Sequence, residues 1–204
     1  MHTSEKEITS RHGMNATPAQ HRIIPMTPAE ERELVIRYTI HNSSYGPLLI
    51  ASSARGILFT GFGEEEQLLG ELRDRFPAAL ITSGEDPLHR HALARIEKPY
   101  SEDTLSLHLK GTAFQLAVWE ELLQIPCGKT TSYAMLAQKI GHPASSRAVG
   151  NAVGRNPIAC LIPCHRVLRS DKQMGGYHWG MHVKVKLLEA EAALSFQSTI
   201  NNNR

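Results

Sequence analysis

The sequence predicts an α+β protein, with a small sheet domain followed by a mostly helical domain. Apolar and polar residues alternate in short segments between 34 and 62, which is typical of strands joined by Asn, Ser and Gly turns. Between 114 and 153 apolar residues recur at helical spacing, and the last two helical segments flank a tight turn, the outline of a helix-turn-helix. With 204 residues, 41% hydrophobic and 21% charged, the composition is that of an ordinary globular protein.

The first part of the chain is predicted to be a flexible extension followed by a sheet domain. Residues 1–30 are rich in Ser, Thr, His and Glu without apolar periodicity, and we expect them to be flexible. The sheet domain is predicted over residues 31–104 as a small antiparallel sheet covered by two helices. Its strands are expected near Leu34–Asn42, Leu48–Ser52 and Gly56–Phe62, its helices at Glu64–Phe76 and Pro87–Lys98, and a last strand at Leu105–Leu109.

The second domain is predicted over residues 105–195, before a flexible tail at 196–204. A first helix carries Phe114, Ala117, Val118 and Leu122 and ends at Pro126. Ser132 can cap the next helix, which Gly141 and Pro143 stop, and Ser145 or Ser146 can cap the third. We expect a buried strand at Ile158–Ile162, a wing that includes the Gly-rich stretch Met174–Gly180, and a closing helix with Val183, Leu187, Ala190 and Leu194 inward.

Charge and cysteine content limit the class of protein. The net charge is only +2, but residues 101–204 hold 11 basic against 7 acidic side chains, which is compatible with phosphate contacts without establishing them. No apolar run reaches membrane-spanning length and the polar N-terminus lacks a signal-peptide core, so we expect a cytoplasmic protein without a membrane partner. Three cysteines without paired spacing argue against a disulfide framework.

The segment Pro163-Cys164-His165-Arg166-Val167 is the strongest chemical signal. It follows the apolar run at 158–162, and the proline places the thiol at a strand end or turn that a substrate can reach. Free cysteine has a pKa of about 8.5, so a nucleophilic Cys164 needs a nearby base. The alternative is a buried structural cysteine beside a surface histidine.

Neither a metal nor a cofactor is predicted. Zinc ligands drawn from Cys160, Cys164 and His165 would alternate across one strand, which is unsuited to tetrahedral coordination. The sequence also lacks a Gly-rich dinucleotide or phosphate loop.

Two further motifs complete the pattern, Pro126-Cys127-Gly128-Lys129-Thr130-Thr131-Ser132-Tyr133 and Ser145-Ser146-Arg147-Ala148-Val149-Gly150-Asn151-Ala152-Val153-Gly154-Arg155-Asn156-Pro157. With the cysteine motif, the chain from Gly111 to Ala193 resembles the 6-O-methylguanine-DNA methyltransferase family, bacterial adaptive-response type. The resemblance implies a ribonuclease-H-like N-terminal domain and a winged-helix-like DNA-binding and catalytic domain. It implies that duplex DNA is both partner and methyl donor, and that the methyl group of a flipped 6-O-methylguanine moves irreversibly to Cys164. No cofactor and no obligate protein partner are implied.

The resemblance also assigns catalytic roles. Cys164 is the methyl acceptor, and His165 is expected to activate it through a water molecule. Glu191 would orient His165 and stabilise its charged form. Asn156 would hold the hinge before the cysteine segment, and Tyr133 would contact the flipped base and donate a proton to guanine.

DNA contacts are expected on the third helix of the C-terminal domain. Small residues such as Ala148 and Asn151 let a helix backbone approach a narrow groove closely. By resemblance, this groove is the minor groove and Arg147 fills the gap left by the extruded nucleotide. Ser170 is a further DNA contact that the resemblance implies.

The alkyl pocket is expected to include Val167, Tyr177, His178 and Trp179. Backbone groups near Val167 and His178 would assist the proton donor, and Tyr177 would line the pocket. Trp179 stands where other members carry a small residue, so we expect a narrower mouth that resists large alkyl groups but admits methyl.

Two other functions would use parts of the same sequence pattern. A binding-only homologue that flags lesions would lack the acceptor cysteine, which is present here. A Cys-His-Glu hydrolase would need an oxyanion hole, for which the sequence gives no sign. The cysteine-rich zinc module of some adaptive-response members is not expected, because no cysteine precedes Cys127. Activity on 4-O-methylthymine, cooperative binding and a role for the sheet domain beyond packing stay open.

Overall fold

A computed structural model describes residues 21–99 and 103–201 of the chain. Its N-terminal part is a six-stranded sheet with strand order β1-β6-β4-β3-β2-β5. The strands are β1 (Arg22–Pro25), β2 (Val35–Ser43), β3 (Gly46–Ser53), β4 (Gly56–Phe62), β5 (Leu80–Ser83) and β6 (Ser106–Leu109). The predicted antiparallel arrangement holds only for the β2-β3-β4 meander, since β1 and β4 pair with β6, and β2 with β5, in parallel.

The prediction of an unstructured extension to residue 30 is wrong for its last part. Residues 22–25 form β1, and the short helix α1 (Pro28–Arg32) begins with a capping box between Thr27 and Glu30. A strand of four residues is too short to show periodicity, and β1 exists because it pairs with β6, more than 80 residues away. Residues 1–20 lie outside the described part of the chain.

Two helices, α2 (Glu65–Arg75) and α3 (Pro87–Glu97), cover the sheet, as predicted. The inward face of α2 buries Leu68, Leu69 and Leu72. The Asp86 side chain caps α3 by accepting a hydrogen bond from the Leu88 amide at 2.8 Å. The buried leucines of α2 fix its position against β4.

The C-terminal part contains four helices, α4 (Ala113–Leu123), α5 (Tyr133–Lys139), α6 (Ser146–Gly154) and α7 (Met181–Asn201), and the two-residue parallel strands β7 (Thr131–Ser132) and β8 (Val167–Leu168). Ser132 caps α5, as predicted, through a 3.2 Å bond from the Met135 amide. Helix α7 continues to Asn201, so the prediction of a tail without structure from residue 196 is wrong up to that point. None of the described helices combines the length and apolar character needed to span a bilayer.

The predicted strand at Ile158–Ile162 is wrong. The segment forms a single isolated bridge between Ile158 and Thr60 and then turns, with Cys160 in the left-handed region at φ 63°. The Gly-rich stretch at 174–180 is irregular as well, so these two segments form no strand-built wing. A short apolar run is compatible with both a buried strand and a buried turn, and here its peptide groups bond to Thr60, to the Asn156 side chain and to one another rather than along a strand ladder.

Candidate active site

Cys164 lies at the floor of a cavity between the helix-turn-helix and the Gly-rich segment. It opens a 3₁₀ helix, Cys164–Arg166, and is 6% exposed. The cavity has a volume of about 300 Å³ and is lined by Tyr133, Gly150, Val153, Gly154, Cys164, Gly176, Tyr177, His178 and Trp179. The Cys164 thiol can therefore contact only molecules that enter the cavity.

Asn156 organises the loop that ends at the thiol. Its Nδ2 donates to the carbonyls of Ile158 and Ile162, both at 3.0 Å, and to Cys164 Sγ at 3.1 Å. Its Oδ1 accepts a 3.0 Å bond from the Ile158 amide. One side chain therefore satisfies the loop backbone and points an N–H at the sulfur, where it stabilises negative charge.

Thr60 of β4 holds the same loop from the N-terminal sheet. Its amide donates to the Pro157 carbonyl at 3.0 Å, and its carbonyl accepts from the Ala159 amide at 3.0 Å. Its hydroxyl donates to the Ala159 carbonyl at 2.8 Å. Sequence reasoning missed Thr60, because a threonine in a strand carries no local sign of a partner 99 residues away.

Behind the thiol, His165 and Glu191 form a buried pair, with 2.9 Å between His165 Nε2 and Glu191 Oε1. Arg166 donates to both carboxylate oxygens, and the Gly128 amide donates to Oε2 at 3.1 Å. Burial alone would raise the pKa of Glu191, but the hydrogen bonds from His165 and Arg166 lower it to about 2. Arg166 was not among the predicted site residues, although a buried carboxylate requires such a cation.

The bonding pattern assigns the protons of this pair. Burial lowers the pKa of His165, so the ring is neutral at pH 7. Since Glu191 is ionised, Nε2 carries the ring proton and donates it to the carboxylate. His165 Nδ1 is then an unprotonated nitrogen, buried and without a hydrogen-bond partner in the part of the chain that the structure describes.

The environment of Cys164 favours the thiol over the thiolate at rest. Burial raises the pKa of Cys164 to about 11, and the Asn156 hydrogen bond and the charge of Lys184 only partly oppose this. Lys184 is 1% exposed and donates to the Val167 carbonyl at 2.9 Å. Sequence reasoning assigned no role to Lys184. Its position next to the inward-facing Val183 of α7 is the signal that could have identified it. Reaction therefore requires a base to remove the thiol proton.

Two tyrosines flank the thiol in the cavity. Tyr133 stands at the start of α5, and a Cβ at Gly175 would lie 2.8 Å from its hydroxyl, so a larger residue at position 175 would require the Tyr133 ring to move. The Tyr177 ring packs edge-on against Trp179, with 5.4 Å between ring centroids. Val167 is fully buried in β8, next to the 3₁₀ helix. Burial raises the pKa of Tyr133, so its hydroxyl keeps its proton at neutral pH.

Outside the cavity, α6 presents Arg147, Ala148 and Asn151 on its exposed face, opposite its buried residues. The adjoining concave surface is lined by Tyr133, Ala134, Ser146, Arg147, Gly150, Asn151, Arg169 and Ser170. Arg169 was not among the predicted residues; it pairs with Asp171 at 3.3 Å. Two guanidinium groups on a surface that continues to Tyr133 suit an anionic partner.

No group of three or more His, Cys, Asp or Glu side chains suited to a metal occurs within residues 21–99 and 103–201. Cys127, Cys160 and Cys164 form no disulfide bonds. Together, the fold and the site define a protein with a buried cysteine thiol, a buried His–Glu pair next to it in the chain, and a cavity that opens beside a helix-turn-helix.

Comparison with known proteins finds similarity to the chain in both sequence and structure. Residues 113–193 match the family described as 6-O-methylguanine DNA methyltransferase, DNA binding domain. The inducible methylated-DNA–protein-cysteine methyltransferase of Bacillus subtilis is 37% identical over 156 residues, which cover 74% of this chain and 87% of that protein. The chain belongs to the 6-O-methylguanine DNA methyltransferase family.

Two further relatives bear on the extent of the match. The bifunctional transcriptional activator/DNA repair enzyme Ada of Escherichia coli is 40% identical over 163 residues, but the match covers 46% of that protein against 78% of this chain. The chain thus spans less than half the length of this relative. A crystal structure of Mycobacterium tuberculosis OGT in complex with DNA superposes with a TM-score of 0.64 at 33% identity, covering 78% of this chain and 93% of that one.

Proposed function

We propose that this protein repairs 6-O-methylguanine in double-stranded DNA by moving the methyl group irreversibly to its own Cys164, once per molecule. One observation carries the proposal above the others: Cys164 Sγ sits at the floor of a cavity beside α6, with Asn156 Nδ2 at 3.1 Å and the His165–Glu191 pair behind it. This arrangement activates a thiol toward an electrophile presented from the DNA side. The names of the relatives support the same reaction.

The transfer is an in-line displacement. His165 Nδ1 takes the thiol proton through a water molecule, and the resulting imidazolium is stabilised by Glu191. The sulfur lone pair forms the S–C bond to the methyl carbon while the C–O6 bond breaks and its electron pair stays on guanine. Asn156 stabilises the thiolate during the attack, and Arg166 keeps Glu191 in place.

The guanine that leaves carries an extra electron pair and needs a proton. Tyr133 reaches the cavity that holds Cys164, and its hydroxyl is protonated at neutral pH. We assign it as the donor to the guanine ring, with backbone groups near Val167 and His178 as further polar partners. The products are S-methylcysteine and unmodified guanine, and no cofactor takes part in the atom balance.

The base must leave the helix to reach the cavity. The exposed side chains of Arg147, Ala148 and Asn151 form the DNA-facing surface of α6 in this proposal, and Ser170 extends it. Arg147 fills the gap that the flipped base leaves, which offsets the unstacking cost of a few kcal/mol. We also propose that the helix-turn-helix is related to winged-helix domains and that the sheet domain is ribonuclease-H-like. The protein acts in the cytoplasm, because its substrate is chromosomal DNA.

Intact-mass analysis tests the function directly. The protein is incubated with a duplex that carries one 6-O-methylguanine, and the modified residue is located by peptide mapping. We expect one added methyl group per molecule, on Cys164, and no second turnover. Binding without a mass change would support a lesion-binding protein instead, and repeated turnover with an unmodified protein would support a hydrolase. An unmodified duplex of the same sequence is the control.

A further inference from the structure

One wall of the catalytic cavity rests on the N-terminal sheet domain. His178 Nε2 lies 3.1 and 3.0 Å from the two carboxylate oxygens of Glu71 on α2. Trp179 packs on β4, where a Cβ at Gly61 would stand 2.8 Å from the indole Nε1. The two rings of this wall meet edge-on, with 5.2 Å between the centroids of His178 and Trp179.

This wall differs from the others in how it is held. The opposite side of the cavity is formed by α5 and α6, whose positions are fixed by helix packing and, for α5, by the Ser132 cap. The segment 173–180 has no regular secondary structure, so its position depends on side-chain anchors. Its polar anchor is Glu71, which also lies 3.5 Å from Arg75 of the same helix.

We infer that Glu71 is a positioning residue that sets the width of the alkyl pocket. By holding His178 from the sheet domain, it keeps Trp179 seated between β4 and the cavity and so favours small alkyl groups over bulky ones. Glu71 does not touch the reacting atoms. The inference rests on the proposed function and gives the sheet domain a task beyond packing, namely the choice among alkyl groups.

The strength of the anchor depends on the charge of His178. The hydrogen bond to Glu71 and its charge raise the pKa of His178, and burial and the nearby Arg75 oppose this only in part. Besides Glu71, the charged groups near His178 are Arg75 on α2 and Arg155 at the end of α6. The titratable groups in the cavity are Cys164, Tyr133 and Tyr177. The anchor is strongest while His178 is charged, and it weakens as the pH rises through the pKa of His178.

A ratio of two rate constants isolates this effect. Single-turnover transfer is measured from two duplexes that differ only in carrying a methyl or a benzyl group on the same guanine. Ionisation of Cys164 and His165 changes both rate constants alike and cancels in the benzyl-to-methyl ratio, as do the DNA contacts. A change in the ratio therefore reports on the pocket.

The test compares the wild type with Glu71→Gln over a pH series, with Glu66→Gln on an exposed position of the same helix as the matched control. We expect the wild-type ratio to rise with pH. In Glu71→Gln the ratio should be about two- to fivefold higher at low pH, the size expected from losing one partly exposed ion pair, and nearly independent of pH. Glu66→Gln should follow the wild type.

Each outcome is decisive. A ratio in Glu71→Gln equal to or below that of the wild type at every pH would overturn the inference, even if the methyl rate falls. Thermal unfolding of each variant checks that the fold is intact, and because the ratio is taken within one protein, partial unfolding cannot change it. If the wild type transfers neither group to Cys164, the proposed function itself fails, which is a different result.

Discussion

Two buried histidines of this protein, His89 in the sheet domain and His165 behind the thiol, show what distinguishes a structural ring from a reactive one. Both are almost fully buried, and burial lowers the pKa of each. His89 lies 2.9 Å from the Thr39 hydroxyl through Nδ1 and 2.9 Å from the Ser52 hydroxyl through Nε2, so both nitrogens are occupied. His165 uses only Nε2, on a carboxylate.

The difference lies in the partners rather than in burial. A ring between two hydroxyls has no free nitrogen and no negative charge to stabilise an added proton. A ring with a carboxylate on one nitrogen and nothing on the other can accept a proton and stabilise the resulting charge. The first arrangement ties α3 to β2 and β3, and the second is the one we propose as the base for Cys164.

The largest effect should come from removing the nucleophile itself. Cys164→Ser should abolish methyl transfer, because a hydroxyl is a far weaker nucleophile at neutral pH. Duplex binding should persist, since the surface of α6 is untouched. Mass analysis after incubation with methylated duplex, and fluorescence anisotropy with the same duplex, measure the two properties. Demethylation by this variant would refute the assignment of the acceptor.

Glu191→Gln should lower the transfer rate constant by about 10²- to 10⁴-fold, because an amide cannot stabilise the imidazolium of His165. It also leaves Arg166 without a counter-charge, so we expect a loss of roughly 3 kcal/mol in the free energy of unfolding. Glu189→Gln, on an exposed position of α7, is the control and should change neither. Rapid-quench kinetics and urea unfolding provide the two measurements.

The same pair predicts a pH dependence of stability. The pKa of Glu191 is about 2 in the folded protein, below its ordinary value of 4.5. The ionised carboxylate therefore stabilises the fold above pH 4.5, and this stability is lost as the pH falls toward 2. Wild type and Glu191→Gln should converge in unfolding free energy over that window; a constant difference would contradict the lowered pKa.

Arg147→Ala should have a smaller effect, about tenfold on the rate of repair in duplex DNA, because it removes the side chain that fills the stack after flipping. A free methylated nucleobase has no stack, so its reaction should slow much less. Rate constants for both substrates decide the matter, and equal losses would exclude this role.

The smallest effect on catalysis is expected for His89→Gln. The transfer rate constant should stay within about twofold of the wild type, while the free energy of unfolding falls by about 1–3 kcal/mol because a buried hydroxyl loses its partner. The lowered pKa of His89 means that wild-type stability is lost as the pH falls below its unfolded value of 6.5, and this component should vanish in the variant. A large loss in the transfer rate constant of a folded His89→Gln variant would contradict the purely structural role of His89.

The sequence could anticipate features that local patterns encode. The β2-β3-β4 meander and helices α2 and α3 follow from alternation and helical spacing, and Ser132 was identifiable as a cap. Through the family resemblance it also named Cys164, Asn156, His165 and Glu191, which the structure brings together.

What the sequence could not supply are long-range partners. The hydrogen-bond partners of three residues could not be predicted, because each partner is distant in the chain and the residue's own segment does not indicate it. These residues are Thr60, Arg166 and Glu71. The strand predicted at Ile158–Ile162 is a turn for the same reason, because its bonds go to the single residue Thr60 of β4 and to the Asn156 side chain rather than along a strand ladder.

The three hydrogen bonds between Thr60 and the loop residues Pro157 and Ala159 also bear on the order in which parts of the chain are synthesised and assembled. Ribosomal synthesis releases β4 long before the cysteine loop, so a partner strand is already folded when that loop emerges. Glu191, in the middle of α7, is released after Asn156, Cys164 and His165. A nascent chain that has not yet released α7 therefore carries Cys164 in its bonded loop but lacks Glu191 beside His165, and in the proposed mechanism the sulfur becomes a strong nucleophile only after α7 has emerged.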